Sequence, residues 1–422
     1  MIANSPANTA LTCVQRAYNA SLELGGCSGR ERDRGVKAMA KAIEKAFDEI
    51  LEANTADLEI SREMAVPDLL LEWLKLTPER LGDTVGILQR LGQLSDPLER
   101  VMNAPYQLNP SQTYCQLMPL GVIALIYEAF PELGAIAAGL ALKTGNSLIL
   151  RGCNVSSQSG ATIARILQTA LEDAGLPSGC LEIICPESGG TLADLVQQHH
   201  CVNLVIPYGR PSLVEQVSQV ATAPVLRSTM GNCYLYWSLN GDLELTRWLL
   251  LDSHASEPDP VNAIEKVLLS PAHNPSLVAR LFNSLKENGF QLRGEPALCQ
   301  EFPDYLTPAS EAEWSKPYLD KIIAFKTVPN LAAAITWMNR YSSGHADCLV
   351  TESYQESRQF AMEIDSAMVY INSSPRFYRN PKQGDSVFLG MSNQKGHRRG
   401  LISLETFTTL KQVVQGNGKL SL

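Results

Sequence analysis

The sequence lacks the cysteine spacing on which zinc cages and disulfide frameworks depend. Its ten cysteines are scattered singly, and none belongs to a Cys-x-x-Cys pair. We therefore predict reduced thiols and no metal site. Basic residues are outnumbered as well, since 35 Lys and Arg face 44 Asp and Glu, for a formal net charge of −9. This balance does not favour a nucleic-acid partner.

Signals for secretion and membrane insertion are also missing. The amino-terminal stretch MIANSPANTA has neither a positive start nor an apolar core, so it does not resemble a secretory signal. The most apolar long window, residues 121–142, is interrupted by Glu128, Pro131 and Glu132. It falls short of the ~20 uninterrupted apolar residues of a membrane span. We expect a cytoplasmic protein with no membrane partner.

The sequence does contain the composition of a globular protein. Hydrophobic residues make up 45% and charged residues 19% of its 422 residues. This balance differs from that of disordered chains, and at ~150 residues per domain the length predicts two or three domains.

The first part of the chain has the periodicity of helices. Apolar residues recur at helical spacing from Val36 to Leu51. Thr77-Pro78-Glu79 predicts a second helix start, because it supplies a capping oxygen, a proline at the first position and an acid in the first turn. Residues 96–118 then place three prolines between short alternations of polar and apolar residues. They predict either an extended arm or hairpin that meets another subunit, or a plain surface loop.

From residue 121 onward, apolar runs alternate with helical stretches. The runs GVIALIYE, SLILRG, LEIICP and VNLVIP are short and bounded by turn residues, and helical patterns cover 156–174, 191–200 and 212–221. Continuous apolar runs separated by helices are typical of buried parallel strands. The pattern predicts a doubly wound α/β domain of a nucleotide-binding kind, although no GxGxxG fingerprint follows the first strand.

A second α/β unit is predicted to begin near Asn240. Helical patterns at 243–251, 276–288 and 331–341 flank apolar segments at 321–325 and 347–350. The domains that we predict are a nucleotide-binding domain (1–95 and 119–239), an oligomerisation arm (96–118 and 401–422), a catalytic-type α/β domain (240–372) and a return segment (373–400).

A series of short segments runs through the chain in a recognisable order. They are PLGVI (119–123), YE (127–128), LKTGN (142–146), ILRG (149–152), GNC (231–233), NAIE (262–265), SGH (343–345), DSA (365–367), Asn372, Arg376-Phe377, Gln394-Lys395, His397, Arg399 and Gly400. No single segment is specific. Together they resemble the γ-glutamyl phosphate reductases, also called glutamate-5-semialdehyde dehydrogenases, a branch of the aldehyde dehydrogenase superfamily that acts in proline biosynthesis.

The resemblance implies an aldehyde dehydrogenase-like α/β fold, with two doubly wound domains and a small oligomerisation arm. It also implies NADP(H) as the cofactor, a homo-oligomer, and a small-molecule ligand or a related enzyme subunit as the partner. In the family's reaction, a cysteine thiolate attacks the acyl phosphate carbon, phosphate leaves, and NADPH reduces the resulting thioester.

The chain departs from this family where the nucleophile is expected. The family's loop ends in Pro-Gly-Val-Cys-Asn-Ala, whereas the matching residues here are PDPVNA at 258–263. Val261 stands at the cysteine position beside Asn262, and a valine side chain has no lone pair with which to attack. Cys233 is the remaining candidate nucleophile, because its loop runs near the active site in the family. A packing role is the alternative, since free cysteines are most often small buried hydrophobes.

Further departures fall on substrate and cofactor positions. The family's Ser-Arg-Pro-Asn reads AFPE at 129–132, so Phe130 replaces an arginine that would pair with carboxylate or phosphate. The family's Pro-Arg-Gly-Gly turn reads PYGR at 207–210. Arg210 adds bulk there, at a turn that would approach phosphate. Phe388 replaces the glutamate that is expected to hold the nicotinamide ribose.

Four residues are predicted to contact NADP(H) on the family's pattern: Lys143, Arg151, Gly152 and Ser156. Arg151 lies where the family places a group near the adenosine ribose or its 2′-phosphate, and a surface salt bridge is the alternative. Ser156 begins a helix, so it offers N-terminal N–H groups to a phosphate or serves as an ordinary N-cap.

These departures lead to one hypothesis about function and two alternatives. The hypothesis is a catalytically inactive relative that acts by binding or assembly in proline or glutamate metabolism, because the fold residues persist while the chemical positions change. The first alternative is an active NADP-dependent reductase that converts L-glutamyl 5-phosphate to L-glutamate 5-semialdehyde and phosphate by direct hydride transfer. The second is a regulatory subunit of a related enzyme.

Overall fold

The computed structural model describes residues 6–106, 111–185, 190–255, 260–396, 398–416 and 418. No helix in these ranges combines the length and the apolar character needed to cross a membrane. Its helices are α1 (Pro6–Leu24), α2 (Gly29–Lys45), α3 (Phe47–Glu63), α4 (Asp68–Leu74), α5 (Pro78–Leu91), α6 (Leu133–Lys143), α7 (Ser157–Asp173), α8 (Leu192–Val196), α9 (Pro211–Val220), α10 (Leu243–Ser253), α11 (Pro275–Glu287), α12 (Pro296–Glu301), α13 (Leu331–Tyr341) and α14 (Tyr354–Glu363). Its strands are β1 (Val101–Asn103), β2 (Gln112–Pro119), β3 (Val122–Tyr127), β4 (Ser147–Arg151), β5 (Leu181–Ile183), β6 (Leu204–Tyr208), β7 (Cys233–Trp237), β8 (Ile264–Leu269), β9 (Gln291–Gly294), β10 (Thr307–Pro308), β11 (Ile322–Thr327), β12 (Ala346–Val350), β13 (Met368–Ile371), β14 (Gly390–Ser392), β15 (Gly400–Ile402) and β16 (Thr408–Gln415).

The chain divides into two compact units. The first consists of Met1–Arg227, Arg379–Leu389 and Ile402–Leu422, and the second of Ser228–Tyr378 and Gly390–Leu401. Strand β7 pairs with β8 and β12, and it therefore lies in the second unit although the predicted first domain extends to residue 239. The remaining predicted domain bounds stay predictions.

The first unit is built on a four-stranded parallel sheet in the order β5-β4-β3-β6. These strands are the four predicted apolar runs, and every residue of β3 is buried, as expected for a sheet with helices on both faces. Helix α6 is buried along its whole length. A core that includes Ala10, Val122 and Val217 joins α1 and α9 to the sheet.

Local capping chemistry sets several helix bounds. The Thr77 hydroxyl accepts the Arg80 N–H at 3.2 Å and Pro78 takes the first helical position, which confirms the predicted start of α5. The predicted helix from Val36 to Leu51 is interrupted at Ala46, between α2 and α3. The helix predicted over 191–200 is much shorter, because α8 ends at Val196 and the chain then turns into β6.

Strands β1, β2 and β16 form a separate antiparallel sheet with β2 in the middle. The pairing of β1 with β2 confirms the predicted hairpin in the region of residues 96–118. Strand β16 runs the whole length of β2, from Thr408 opposite Pro119 to Gln415 opposite Gln112. Contact of this arm with another subunit stays a prediction.

The second unit contains a seven-stranded parallel sheet in the order β10-β9-β11-β8-β7-β12-β13. Helices α10 and α11 cover one face around Trp237 and Phe282. Helices α13 and α14 cover the other face around Tyr234 and Phe360. This arrangement confirms the second predicted α/β unit, and it places β7 and β8 in the interior of the sheet.

Candidate active site

The position expected to hold a nucleophile lies just before β8 in the second unit. Val261 is fully buried. Its carbonyl oxygen accepts hydrogen bonds from the Gly231 N–H at 3.0 Å and from His345 Nε2 at 2.7 Å. The side chain presents only methyl groups, so this position cannot attack a carbonyl carbon. Pro258, which matches the family's loop, and Asp259, which replaces its glycine, lie outside the described residues.

Cys233, the other candidate nucleophile, begins β7 beside an imidazole ring. Its Sγ lies 3.3 Å from His345 Nε2. Because the Val261 carbonyl can only accept a hydrogen bond, Nε2 carries the ring proton, and Nδ1 accepts from the Ser343 hydroxyl at 2.9 Å. Burial lowers the pKa of His345 to about 4, which keeps the ring neutral at pH 7.

The Nε2 atom beside Cys233 therefore donates its hydrogen to the Val261 carbonyl, and it has no lone pair with which to take the thiol proton. Burial raises the pKa of the Cys233 thiol well above its ordinary value, and the nearby Asp347 carboxylate raises it further. A thiol held protonated in this way is a poor nucleophile. The geometry therefore favours the packing role of Cys233.

Two buried asparagine side chains near Val261 each have an amide oxygen that accepts no hydrogen bond from the described residues. Asn262 Nδ2 donates to the Pro375 carbonyl at 2.7 Å, and Asn232 Nδ2 donates to the Tyr341 carbonyl at 2.8 Å. The Oδ1 atom of each is buried and has no hydrogen-bond partner among the described residues. Each oxygen is an acceptor that an N–H or O–H group of a ligand or water would satisfy.

Asp347 fixes the loop that carries His345. Its carboxylate accepts the Tyr234 N–H at 2.9 Å and the hydroxyls of Ser342 and Ser366. Burial raises the pKa of this carboxyl to about 6, in opposition to these hydrogen bonds. The cluster ties β7 to β12 and so positions the imidazole ring.

A buried ion pair follows Val261 on strand β8. The Glu265 carboxylate accepts the backbone N–H groups of Asn232, Tyr318 and Leu319, each at 2.8 Å. Lys266 is also fully buried, with Nζ 3.5 Å from the Glu265 carboxylate and 3.7 Å from the centre of the Tyr318 ring. Burial lowers the pKa of Lys266 to about 8. Sequence reasoning missed this pair, although a lysine inside the apolar strand IEKVLL is a signal for one.

Three of the predicted cofactor residues lie at or just beyond the carboxyl end of β4 in the first unit. The Arg151 guanidinium donates to the Gly190 carbonyl at 3.0 Å, and burial lowers its pKa. A Cβ atom added to Gly152 would meet Ser156 Oγ at 3.4 Å, which is ordinary contact. The sheet thus brings Arg151, Gly152 and Ser156 together, and their contact with a cofactor stays a prediction.

Lys143 lies elsewhere in that unit. It ends α6 and precedes β4, so it is at the amino edge of the parallel sheet, whereas ligands of such sheets bind at the carboxyl edge. Its side chain is buried, and the ammonium group bonds to the Asp33 carboxylate and the Leu94 carbonyl. This position and the ion pair with Asp33 do not favour the predicted cofactor contact of Lys143, which stays a prediction.

The amino terminus of α7, where Ser156 was expected to open onto a phosphate, already holds a carboxylate. Asp57 of α3 accepts the backbone N–H groups of Gln158 at 3.1 Å and Ser159 at 2.8 Å. These are the donors that a helix amino terminus would offer to an anion. The N-terminal donors of α7 therefore serve the fold.

The substituted positions of the first unit find partners within that unit. Phe130 stacks on Trp73 with ring centres 4.7 Å apart and meets Tyr208 edge-on at 5.7 Å. The Glu132 carboxylate bonds to the Arg80 guanidinium. Phe388 donates its backbone N–H to the Arg379 carbonyl at 2.9 Å.

Arg210 also pairs within the first unit. Its guanidinium binds the Glu128 carboxylate through Nε at 3.1 Å and Nη2 at 2.7 Å. The residues that replace the family's groups thus have partners within the first unit.

Comparison with known proteins gives the same family as the sequence motifs. The aldehyde dehydrogenase family profile matches residues 1–231. γ-Glutamyl phosphate reductase 2 of Synechocystis sp. is 59% identical over 96% of this chain and 97% of its own length. The chain belongs to the γ-glutamyl phosphate reductase family. A reductase of that name from Gloeobacter violaceus is 36% identical, again over 96% of this chain and 97% of its own.

Solved structures of this family have the same fold. The crystal structure of γ-glutamyl phosphate reductase from Thermotoga maritima matches with a TM-score of 0.88 and 30% identity, over 98% of this chain and 100% of that one. An engineered glycolyl-CoA reductase with bound NADP+ matches with a TM-score of 0.70, 14% identity and 96% of each chain, which shows the fold alone. The predicted family and α/β fold class are confirmed.

Members of the aldehyde dehydrogenase family generally bind NAD or NADP. The residues of this chain fit such a cofactor poorly at the carboxyl edge of the first unit's sheet, because Asp57 holds the donors of α7 and Glu128 holds the backbone N–H of Arg210 at 3.1 Å. Among the described residues, no group of three or more His, Cys, Asp or Glu is placed to hold a metal ion.

Proposed function

We propose that this chain is a non-catalytic member of the γ-glutamyl phosphate reductase family, which acts in proline or glutamate metabolism by binding or assembly. The observation that carries the proposal is the buried valine at the nucleophile position. Loss of a covalent nucleophile typically costs on the order of a millionfold in rate. Cys233, the other candidate nucleophile, is a poor substitute, because it faces an N–H group of His345 and is held protonated.

The substituted positions of the first unit support the same proposal. The family's arginine would bind an anionic substrate, whereas Phe130 is fully buried in an aromatic cluster. Glu132 adds a negative charge that Arg80 neutralises. An acyl phosphate thus finds neither a thiolate nor a free cation at these positions.

Two alternatives remain as outcomes of the test. An active NADP-dependent reductase would have to transfer hydride directly to the acyl phosphate, and Phe388 and Arg210 stand where the family's pattern holds the nicotinamide ribose and approaches phosphate. A regulatory subunit would bind a related enzyme, with the antiparallel sheet of β1, β2 and β16 as its contact. A homo-oligomer and a small-molecule ligand belong to the same proposal.

The test is an assay of the purified full chain in both directions. Glutamate 5-semialdehyde, phosphate and NADP+ are supplied in one reaction, and freshly made γ-glutamyl phosphate and NADPH in the other. We expect no turnover above the rate without protein, while an active reductase of the same family serves as the positive control. Turnover by this chain that Val261→Ala leaves unchanged would overturn the proposal and support the cysteine-independent reductase.

The assembly part of the proposal has its own readout. Native lysate is passed over the tagged full chain, and co-purifying enzymes of proline and glutamate metabolism are identified. Recovery of such an enzyme supports the regulatory subunit, and its activity with and without the chain then shows the direction of regulation. Recovery of the chain alone, in the absence of any such enzyme, contradicts this part.

A further inference from the structure

The order of strands in the first unit marks one place where a ligand is expected to bind. Strand β3 has β4 on one side and β6 on the other. The chain therefore proceeds outward from β3 through β4 to β5, and then returns to the opposite side for β6. In open α/β sheets, ligands bind in the crevice outside the carboxyl ends of the two strands at which the order reverses. Here those strands are β3 and β6.

Two charged side chains meet across this crevice. Glu128 follows β3 and Arg210 follows β6, and they join through Nε at 3.1 Å and Nη2 at 2.7 Å. The Glu128 carboxylate also accepts the backbone N–H of Arg210 at 3.1 Å, and the Glu128 N–H donates to the Tyr208 carbonyl at 3.0 Å. The carboxylate side chain is only 12% exposed. The pair is therefore a bidentate bridge between the two loops, with a largely buried carboxylate and a guanidinium that is 37% exposed.

The turn that follows β6 and leads to Arg210 requires a glycine at position 209. Gly209 has a φ of +153°, and a Cβ atom there would lie 2.8 Å from Glu128 Cβ. Any larger residue would separate the two loops. The backbone of this turn is thus shaped so that the carboxylate approaches it closely.

The bridge occupies the Arg210 N–H, a donor just before helix α9 that a phosphate would use. Anions bind at helix amino termini through unpaired N–H groups. Helix α9 begins at Pro211, which has no N–H. The N–H of the preceding residue, Arg210, donates to the Glu128 carboxylate. For a dinucleotide pyrophosphate entering the crevice, the Arg210 N–H and guanidinium are donors that the Glu128 carboxylate already holds.

We propose that the Glu128–Arg210 pair closes this crevice to the pyrophosphate of NAD(P)(H), which makes Arg210 a specificity-determining residue of the unit. This proposal goes beyond the loss of the nucleophile, because it concerns a different unit of the chain and a binding step. It attributes the poor fit of the cofactor to one intramolecular contact that substitution can remove.

The test is a titration of the purified full chain with NADPH and with NADH, followed by calorimetry and by nucleotide fluorescence. The variants are Arg210→Gly, Glu128→Gln and the double variant. Arg210 has a φ of −60° and a ψ of 153°, so glycine fits without strain. Arg16→Ala is the matched control, because it removes another paired arginine of the same unit, 2.6 Å from Glu182. Thermal unfolding of each variant verifies that it is folded.

We expect no saturation of the parent chain or of the control up to about 1 mM, and tighter binding by the double variant of about tenfold or more, as for a regained charge-assisted contact. Saturation of the parent chain in the micromolar range, at the same affinity as the variants, would overturn the proposal. Folded single and double variants that gain no affinity would overturn it too. Cofactor binding by the parent chain without turnover contradicts this inference alone, whereas turnover contradicts the proposed function.

Discussion

His345 donates from Nε2 to the carbonyl oxygen of Val261 at 2.7 Å, and this bond decides the chemistry of the neighbouring thiol. A protonated Nε2 has no lone pair for the proton of Cys233. A cysteine beside a histidine is often taken for a catalytic pair. In this chain the hydrogen bond from His345 to the Val261 carbonyl shows that the imidazole serves as a donor to the backbone.

We predict that Val261→Cys alone does not restore turnover. It supplies a thiol at the family's position, but Arg210 and Glu128 still occupy the crevice of the first unit. The measurement is the two-direction assay applied to Val261→Cys and to the triple variant that also carries Glu128→Gln and Arg210→Gly. Activity of the single variant would show that the cofactor needs no further change in the chain.

Cys233 and Cys348 should resist alkylation in the native protein. Both thiols are fully buried, and burial raises the pKa of each well above its ordinary value. Iodoacetamide at pH 8, with mass spectrometry of the digested protein, should first label the partly exposed cysteines, which are Cys27, Cys153, Cys185, Cys201 and Cys299. Rapid labelling of Cys233 would contradict the packing role, and labelling in denaturant supplies the control.

Asp347 and His345 should contribute opposite slopes to stability between pH 4 and 6. The pKa of Asp347 is raised to about 6, so the folded state holds its proton longer and stability falls as pH rises. The pKa of His345 is lowered to about 4, so the unfolded state takes up a proton first and stability rises with pH up to its ordinary value of 6.5.

The two contributions are each on the order of 3 kcal/mol and nearly cancel. Relative to the parent chain, Asp347→Asn should therefore gain stability as pH rises from 4 to 6, and His345→Gln should lose it. Denaturant unfolding at several pH values measures both differences. Parallel pH profiles for the parent chain and both variants would show that neither group is linked to folding in this range.

The ion pair on β8 should respond unequally to removal of either partner. Lys266→Met leaves Glu265 with its three backbone donors, so we expect a smaller loss of stability than for removal of the carboxylate. Glu265→Gln leaves the buried ammonium without its carboxylate, and we expect a loss of about 3–5 kcal/mol. Guanidinium unfolding of both variants provides the comparison, and equal losses would contradict the interpretation.

Lys266 also predicts a rise in stability at alkaline pH. Its folded pKa of about 8 lies below the ordinary value of 10.5, so stability rises with pH between these two values. Lys266→Met should lack this rise. The pair of unfolding curves at pH 8 and 10 is sufficient to measure it.

Sequence reasoning predicted the strands better than the contacts beyond them. The run GVIALIYE gives β3 because six consecutive apolar residues suit a sheet covered on both faces. The substitutions at Val261 and Phe130 can be identified from the sequence, because alignment with the family's motifs shows which residue is expected at each position. The partner of Arg210 was not found, since Glu128 lies 82 residues away and only the pairing of β3 with β6 brings them together.

Two predictions differ from what strand and helix placement favours, for a common physical reason. Lys143 was assigned to the cofactor from its motif, but the direction of α6 places it at the amino edge of the sheet. Strand β7 was assigned to the first domain from its place in the chain, but its partners β8 and β12 belong to the second unit. In both cases the position of the residue or strand is set by contacts with distant parts of the chain, which the local sequence does not predict.

The bridge between Glu128 and Arg210 also has a genetic consequence. Codons of the form CGN specify arginine and GGN specify glycine, so a single base change converts one residue into the other at position 210. No strand, helix or loop length has to be rebuilt for the crevice to open or close. Under the proposed closure of the crevice, one point mutation at position 210 is enough to change access for a dinucleotide, with no change to the residues that form the fold.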